Sequence, residues 1–317
     1  MTYQDMTIEE VRILFKSNKI SREEYWLFLK SKLSILDDVS KTLFKSINSI
    51  NIDQDEVTVS YNFHENYAIE LVINYEDIRS AANTIFANGE YETTQMKLIC
   101  ELARKNSYFM DIGSNVGLYS ICATLVNPNI KVSSFEPNFE IAKQQKRNLD
   151  LNNVNSIRIF NFGLANENSD SVDFFVPKFT GSGGGSLVNL HPDEGRSNQA
   201  LVALKKLDNL DEEIRSKVDF IKVDIEGAEF EFLKGALHTI SDSKPVIISE
   251  LLRKWMHPFG SHPQDFVKTL LEIGYTCFEV RDLGIQEITE INERTIGNNF
   301  VFVHNNDTKN REIISSF

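Results

Sequence analysis

Acidic residues standing at the ends of short apolar runs are the feature of this 317-residue sequence that could do chemistry. In Tyr108-Phe-Met-Asp111-Ile-Gly113-Ser114-Asn115-Val-Gly117, an apolar run closes on Asp111, a glycine turn follows, and a helix is predicted to begin near Gly117. Gly113 lets the backbone bend and approach a ligand, and Gly117 lets helix and strand pack closely. The next run, 130–135, ends in Glu136-Pro137-Asn138, 19 residues after Gly117. An acid closing the second strand of such a unit can accept hydrogen bonds from both hydroxyls of a ribose. Pro137 fixes the chain just after it. A third run, 218–223, opens into Asp224-Ile-Glu226-Gly-Ala-Glu229, and a fourth, 245–249, ends in Glu250. In an extended chain Lys222, Asp224 and Glu226 point to one side. Glu229 falls in the first helical turn, where negative charge also suits the helix dipole.

The first turn reads G-x-x-x-G headed by Asp111, not the G-x-G-x-x-G that wraps a pyrophosphate. An acid at its head suits a ligand carrying a positive amine. An amine-and-carboxylate tail joined to a ribose describes S-adenosylmethionine (SAM). The sequence also resembles the FkbM family of SAM-dependent methyltransferases. The resemblance lies in Asp111-Ile-Gly-Ser-Asn-Val-Gly117, Phe135-Glu-Pro-Asn138, Asn148-Leu-Asp-Leu-Asn-Asn153, Asp219-Phe-Ile-Lys-Val-Asp-Ile-Glu-Gly-Ala-Glu229 and Pro245 to Glu250. It implies an α/β class I methyltransferase fold: a Rossmann-like, seven-stranded, mostly parallel sheet with helices on both faces. It further implies methyl transfer to a hydroxyl of a sugar, glycan or other polyhydroxylated metabolite, leaving S-adenosylhomocysteine. On the same resemblance Asp111, Gly113, Ser114, Asn115 and Gly117 hold the methionine and ribose part. Glu136, with Pro137 and Asn138, takes the ribose diol, and Gly163 and Leu164 lie beside the adenine.

A hydroxyl acceptor must lose a proton as it is methylated, so a carboxylate or His beside it serves as general base. The candidates are Asp224, Glu226 and Glu250 at the run ends, with His257 and His262 just beyond. The three acids would also suit Mg²⁺, which prefers carboxylates and water, but no ligand spacing marks a metal site and a base is preferred. Gly181-Ser-Gly-Gly-Gly-Ser186 reads as a surface linker or as a lid that would bring Asn189 and His191 to the acceptor.

These groups need elements to carry them. Seven apolar runs (108–112, 130–135, 157–162, 218–223, 245–249, 275–280, 299–303) alternate with helical segments, which implies crossover units and a mainly parallel sheet. The last two flank a polar connection, predicting an antiparallel edge. Residues 7–50 read as helical. Ser21-Arg-Glu-Glu24 is a capping box, and Trp26, Leu29, Leu33 and Leu36, then Leu43, Phe44, Ile47 and Ile50, follow at helical spacing. Such a face packs on the rest of the protein or joins two copies as a homodimer. Val57, Val59, Tyr61 and Phe63, a turn at His64-Glu65-Asn66, then Tyr67, Ile69, Leu71 and Ile73 predict a hairpin. The expected organisation is a helical and hairpin extension over 1–90 with a substrate or oligomer role, a catalytic domain over 91–305, and a polar tail over 306–317.

Composition bounds the partners. The chain is 41% hydrophobic and 25% charged with a formal charge of −13, the profile of a globular protein without a basic island. That disfavours nucleic acid and an anionic membrane surface, and no run is long enough to span a membrane. The acidic opening MTYQDMTIEE does not resemble a secretory leader, so a cytoplasmic protein is expected. Cys100, Cys122 and Cys277 are scattered among apolar residues and read as buried hydrophobes. Two other functions fit less well: a nucleotide-sugar or NAD-dependent enzyme, which the G-x-x-x-G spacing opposes, and a non-catalytic binding partner on the same fold, which the intact acids oppose.

Overall fold

The computed structural model describes residues 3–75, 77, 80–177, 184–190, 198–281, 284–292 and 295–317. The chain divides into two compact units, Met1–Lys45 and Ser46–Phe317. In the first, α1 (Ile8–Lys16) and α2 (Arg22–Thr42) both start on reciprocal capping boxes, Thr7 with Glu10 and Ser21 with Glu24. Backbone N–H donation from Thr7 and Ser21 holds both glutamates below the usual carboxylate range. Val11, Ile20 and Phe28 form a small core against which Leu29 packs. Trp26, Leu33 and Leu36 stay exposed.

The helical reading stops at Thr42, and residues 47–52 are not helical. Ile47 and Ile50 recur at a spacing that a helix shares, but Ile47–Ile52 forms β1, paired antiparallel with β2 (Val57–His64), which pairs with β3 (Tyr67–Val72). Isoleucine is β-branched, and once a partner strand is at hand it favours the extended form. The β2–β3 hairpin turns where expected, with Glu65 at φ 43°. Its alternation buries Val59, Tyr61, Phe63, Ile69 and Leu71. This small sheet sits on a helix of the same unit: Asn152 and Asn148 side chains accept from the Glu70 and Val72 amides at 2.9 and 3.0 Å.

Next come α3 (Ala81–Asn88), α4 (Thr93–Lys105), β4 (Tyr108–Ile112), α5 (Leu118–Val126), β5 (Lys131–Phe135), α6 (Phe139–Leu151) and β6 (Ile157–Phe160). They are followed by β7 (Gly163–Leu164), β8 (Ser169–Val176), β9 (Asn198–Lys205), α7 (Glu212–Arg215), β10 (Phe220–Val223), α8 (Glu229–Lys234), α9 (Leu237–Ser243) and β11 (Val246–Glu250). The chain ends with α10 (Arg253–Met256), α11 (Pro263–Glu272), β12 (Tyr275–Arg281), β13 (Gly284–Ile288), β14 (Asn299–His304) and α12 (Thr308–Ile314).

The main sheet has the order β13-β12-β14-β11-β10-β4-β5-β6. Strands β6, β5, β4, β10 and β11 are parallel, and β14 runs antiparallel between β11 and β12. This is the Rossmann-like, mostly parallel sheet, with all seven runs in place and the antiparallel strands at the predicted end. An eighth strand, β13, hairpins onto β12; its polar Gln286 and Glu287 hid it. A separate sheet, β7-β9-β8, fills the long connection from β6 to β10. Central strands are buried on both faces, with Phe109 and Phe220 stacked 4.4 Å apart across the β4–β10 pair. The three cysteines are buried and free, and burial pushes the Cys100 thiol up to about 12. The predicted polar tail folds: Asp307 caps α12, Ile314 is buried, and Asn310 pairs with Asn106 at 2.9 Å. No described helix is long and apolar enough to cross a membrane.

Candidate functional site

Because the chain runs β4 to β5 to β6 and then returns to place β10 on the other side of β4, the strand order reverses between β4 and β10. Crevices outside the carboxyl ends of strands at such a point bind ligands. A cavity of about 280 Å³ opens there, walled by residues that follow β4, β5, β10 and β11.

The glycine turn after β4 stitches three strand ends together. The Gly113 and Ser114 amides donate to the Phe135 carbonyl at 3.0 and 3.1 Å, and the Asp224 amide donates to the Ile112 carbonyl at 3.0 Å. Gly113 has φ +76°, and a Cβ there would lie 1.9 Å from the Asp224 carbonyl oxygen. Only glycine satisfies both conditions. Gly117 (φ +84°) likewise faces Gln145, whose amide oxygen accepts from Ser114 Oγ at 3.1 Å. Gly113, Ser114 and Asn115 line the cavity.

Glu136 lines it too, and is 6% exposed. Its two carboxylate oxygens accept from the Asn115 amide at 3.1 Å and the Asn138 amide at 2.8 Å. Burial pushes its pKa up to about 7 against those bonds. Each oxygen keeps a lone pair for a further donor. Asp111 is placed differently. It is fully buried behind the wall, with one oxygen accepting from Ser120 Oγ at 2.6 Å and from its amide at 3.2 Å. The other oxygen has no partner among the described residues. Burial raises its pKa, opposed by Lys222 and Ser120. Pro137, Gly163 and Leu164 lie on the wall, whereas the Asn138 side chain caps α6 through the Glu140 amide.

Asp224, Glu226 and Glu250 line the same cavity, after β10 and at the end of β11. Glu226 is pushed up to about 9, by burial first and then by Asp224 and Glu250; Glu250 is pushed up to about 8, by burial, Asp224 and Glu92. Lys222, paired in register with Asp111 across β4 and β10, reaches Asp224 Oδ2 at 2.8 Å and lies over the Tyr119 ring at 4.6 Å. Burial acts to lower the Lys222 pKa, but Asp224, Glu92 and Asp111 outweigh it and the net shift is upward. Glu229 is buried beneath the turn, where one oxygen accepts from the Ile225 and Gly227 amides at 3.1 and 3.2 Å. It holds the shape of the segment carrying Asp224 and Glu226.

Among the wall residues that sequence reasoning passed over are Glu92, Tyr91 and Tyr119. Glu92 takes a left-handed conformation at the start of α4 and accepts from the Tyr119 hydroxyl; Tyr91 stands beside it. Burial raises the pKa of Glu92, against Lys222. The entry of α4 carried no motif, so for Glu92 and Tyr91 the sequence offered no signal beyond an acid before an apolar stripe; Tyr119 follows the Gly117 turn directly, but nothing in that motif pointed its ring at the cavity. His257 is exposed in a short 3-10 turn after α10 and is not on the wall. His262 caps α11, its Nδ1 accepting from the Gln264 amide at 3.0 Å. In the glycine-rich patch, 181–183 lie outside the described residues, as does His191. Gly184 and Gly185 line the cavity, and Ser186 Oγ donates to the Glu226 carbonyl at 2.8 Å. Among the described residues no group of three or more His, Cys, Asp or Glu is arranged to hold a metal ion.

Residues 111–277, more than half of the chain, match the methyltransferase FkbM domain. Methyltransferase 1 of Beauveria bassiana is 26% identical over 41% of this chain and 58% of its own length. Methyltransferase sdnD of Sordaria araneosa is 25% identical over 53% of this chain and 72% of its own. The hexuronic acid methyltransferase AglP of Haloferax volcanii is 28% identical over 57% of this chain and 68% of its own. The first of these matches thus spans less than two thirds of its relative. With the matched segment running from the head of the glycine turn to the antiparallel edge of the sheet, the chain belongs to the FkbM methyltransferase family.

Proposed function

We propose that this protein is a SAM-dependent methyltransferase acting on a hydroxyl of a sugar, glycan or other polyhydroxylated metabolite. The observation that carries the reading is that Glu136 and the Gly113 turn line one cavity together with Asp224, Glu226 and Glu250, all at the carboxyl ends of neighbouring strands. The residues fit the donor. Glu136 offers two carboxylate oxygens to a ribose diol, the turn at Gly113–Asn115 leaves backbone within reach of an amino-acid tail, and Gly163 and Leu164 give an apolar shelf for a purine. When bound, SAM supplies an electrophilic methyl on a sulfonium leaving group.

The chain's own part is then alignment, exclusion of water and removal of one proton. A carboxyl whose proton affinity is raised into the neutral range is a better base than an ordinary one. That favours Glu250 and Glu226 for the acceptor hydroxyl, while Asp224 stays engaged by Lys222. Sugar chemistry draws support from the hexuronic acid methyltransferase among the relatives. Titration calorimetry with SAM and S-adenosylhomocysteine tests the donor. A folded protein that binds neither sinks the reading. Incubating the protein with radiolabelled SAM and cell extracts, then identifying the labelled product by mass, tests the acceptor.

A further inference from the structure

The cavity wall is unbalanced in charge. Glu92 enters it from the start of α4, Asp224 and Glu226 from the loop after β10, and Glu250 from the end of β11. Lys222 is the single cationic side chain among the described residues of that wall, and its ammonium is committed to Asp224 at 2.8 Å. Other groups around them add no positive charge: Tyr91 and Tyr119 on the same wall, Asp111 behind β4, and Glu229 beneath the turn. With Glu136, whose carboxylate is held by the Asn115 and Asn138 amides, five carboxyl groups line this wall with one cation, in a site mostly withdrawn from water.

We infer that Glu92, Asp224, Glu226 and Glu250 act as a charge-selective wall, which holds a cationic occupant of the cavity more tightly than a neutral one of the same shape. The inference rests on the SAM reading, because donor and product differ in this respect: the sulfonium is positive and the thioether left after transfer is neutral. Carboxyl groups crowded in a low-dielectric site cannot all ionise together. Burial and mutual repulsion keep Glu92, Glu226 and Glu250 holding protons above the usual carboxylate range. A cation entering the cavity favours their ionised forms, so its binding expels protons that the neutral product leaves in place. Loss of the positive charge on transfer then removes the attraction and favours release of the product.

The test needs no acceptor. SAM, S-adenosylhomocysteine and sinefungin, an analogue with an amine in place of the sulfonium, are titrated into the full chain in buffers of low and high ionisation enthalpy. SAM and sinefungin are expected to release protons at pH 7.5, and S-adenosylhomocysteine markedly fewer. The affinity ratio of SAM to S-adenosylhomocysteine should rise by about tenfold from pH 6 to pH 9, one pKa unit of coupling being tenfold. Glu226→Gln and Glu250→Gln should each shrink both differences. Equal proton counts for the three ligands, or a ratio unchanged with pH, overturns the inference while leaving the donor reading intact. Failure of all three to bind a folded protein removes the donor reading and this inference with it.

Discussion

Gly113→Ala isolates the contact on which the site is built. An alanine there has its Cβ 1.9 Å from the Asp224 carbonyl oxygen, so the segments leaving β4 and β10 must move apart by more than an ångström. It must also hold φ near +76°. The left-handed backbone costs about 1–2 kcal/mol for a residue with a side chain, and overpacking adds about 1–3 kcal/mol. Gly260→Ala is the matched control: φ is +70° there and nothing lies within 4 Å of the added carbon. It should show the backbone cost alone. At about 2–4 °C per kcal/mol for a unit of this size, Gly113→Ala should melt roughly 2–12 °C below Gly260→Ala. Since Asp224 shifts with the turn, SAM affinity should fall in Gly113→Ala and stay near wild type in the control. Thermal unfolding and calorimetry on the two variants read both effects. If the two melt together, the close approach of the β4 and β10 ends is refuted. If Gly113→Ala melts lower yet binds SAM like wild type, the turn does not shape the donor site.

Glu136→Gln leaves one of two backbone donors, Asn115 or Asn138, facing an amide group, which costs about 1–3 kcal/mol. SAM and S-adenosylhomocysteine should both weaken by about tenfold or more; unchanged calorimetric affinity for either would contradict the ribose role. Glu136 and Glu229 (about 7), Glu250 (about 8) and Glu226 (about 9) hold protons in the fold that the unfolded chain has released above its ordinary carboxylate range. The folded state thus binds more protons in that window, and stability should fall as pH rises from about 5 towards 9, most gently in Glu226→Gln; denaturant midpoints that climb over this range would reverse the sign. Lys222→Met strips Asp224 of its cation. The loss should be smaller than the ~3–5 kcal/mol of a fully buried pair, because a quarter of the Asp224 side chain is exposed. Adding Asp224→Asn should recover part of it in a double-mutant cycle, and additivity would deny the coupling. A neutral sugar acceptor should outperform its uronate in product assays, given the acids on the wall; a preference for the uronate would place the acceptor elsewhere.

Much of this was legible because the sheet is buried on both faces. Runs such as Phe109 to Ile112 or Val246 to Ser249 have no solvent-facing residue to break their apolar signal, and they closed on acids whose place at strand tips followed. The strands of the β7-β9-β8 sheet are short or half-exposed, with Asp170, Asp173 and Lys205 among their residues, and gave no comparable signal. In α12, one buried Ile314 at the end of a charged segment could not announce a helix. At the site, acids adjacent in sequence to a strand end were found. Glu92 was not, since it enters the cavity from a helix start without a motif, and Tyr119 was not, because the glycine turn before it announces backbone close to a ligand rather than a ring on the wall. His257 and His262 showed the converse: proximity in sequence to Glu250 did not bring either ring to the cavity wall.

The position of β14 bears on how a ribosome can deliver this protein. That strand lies between β11 and β12, yet it is translated after both, and after the β12–β13 hairpin is complete. Until residues 299–304 emerge, the edge of β11 beyond the Glu250 segment has no partner, and the hairpin has no sheet to join. Unpaired edges of this kind template contacts with other chains. A nascent chain halted before Asn299 would therefore hold Glu250 on a ragged border, so the acid wall takes shape only once that strand is made. Fragments ending upstream of that strand are expected to recruit chaperones or aggregate, however complete their glycine turn.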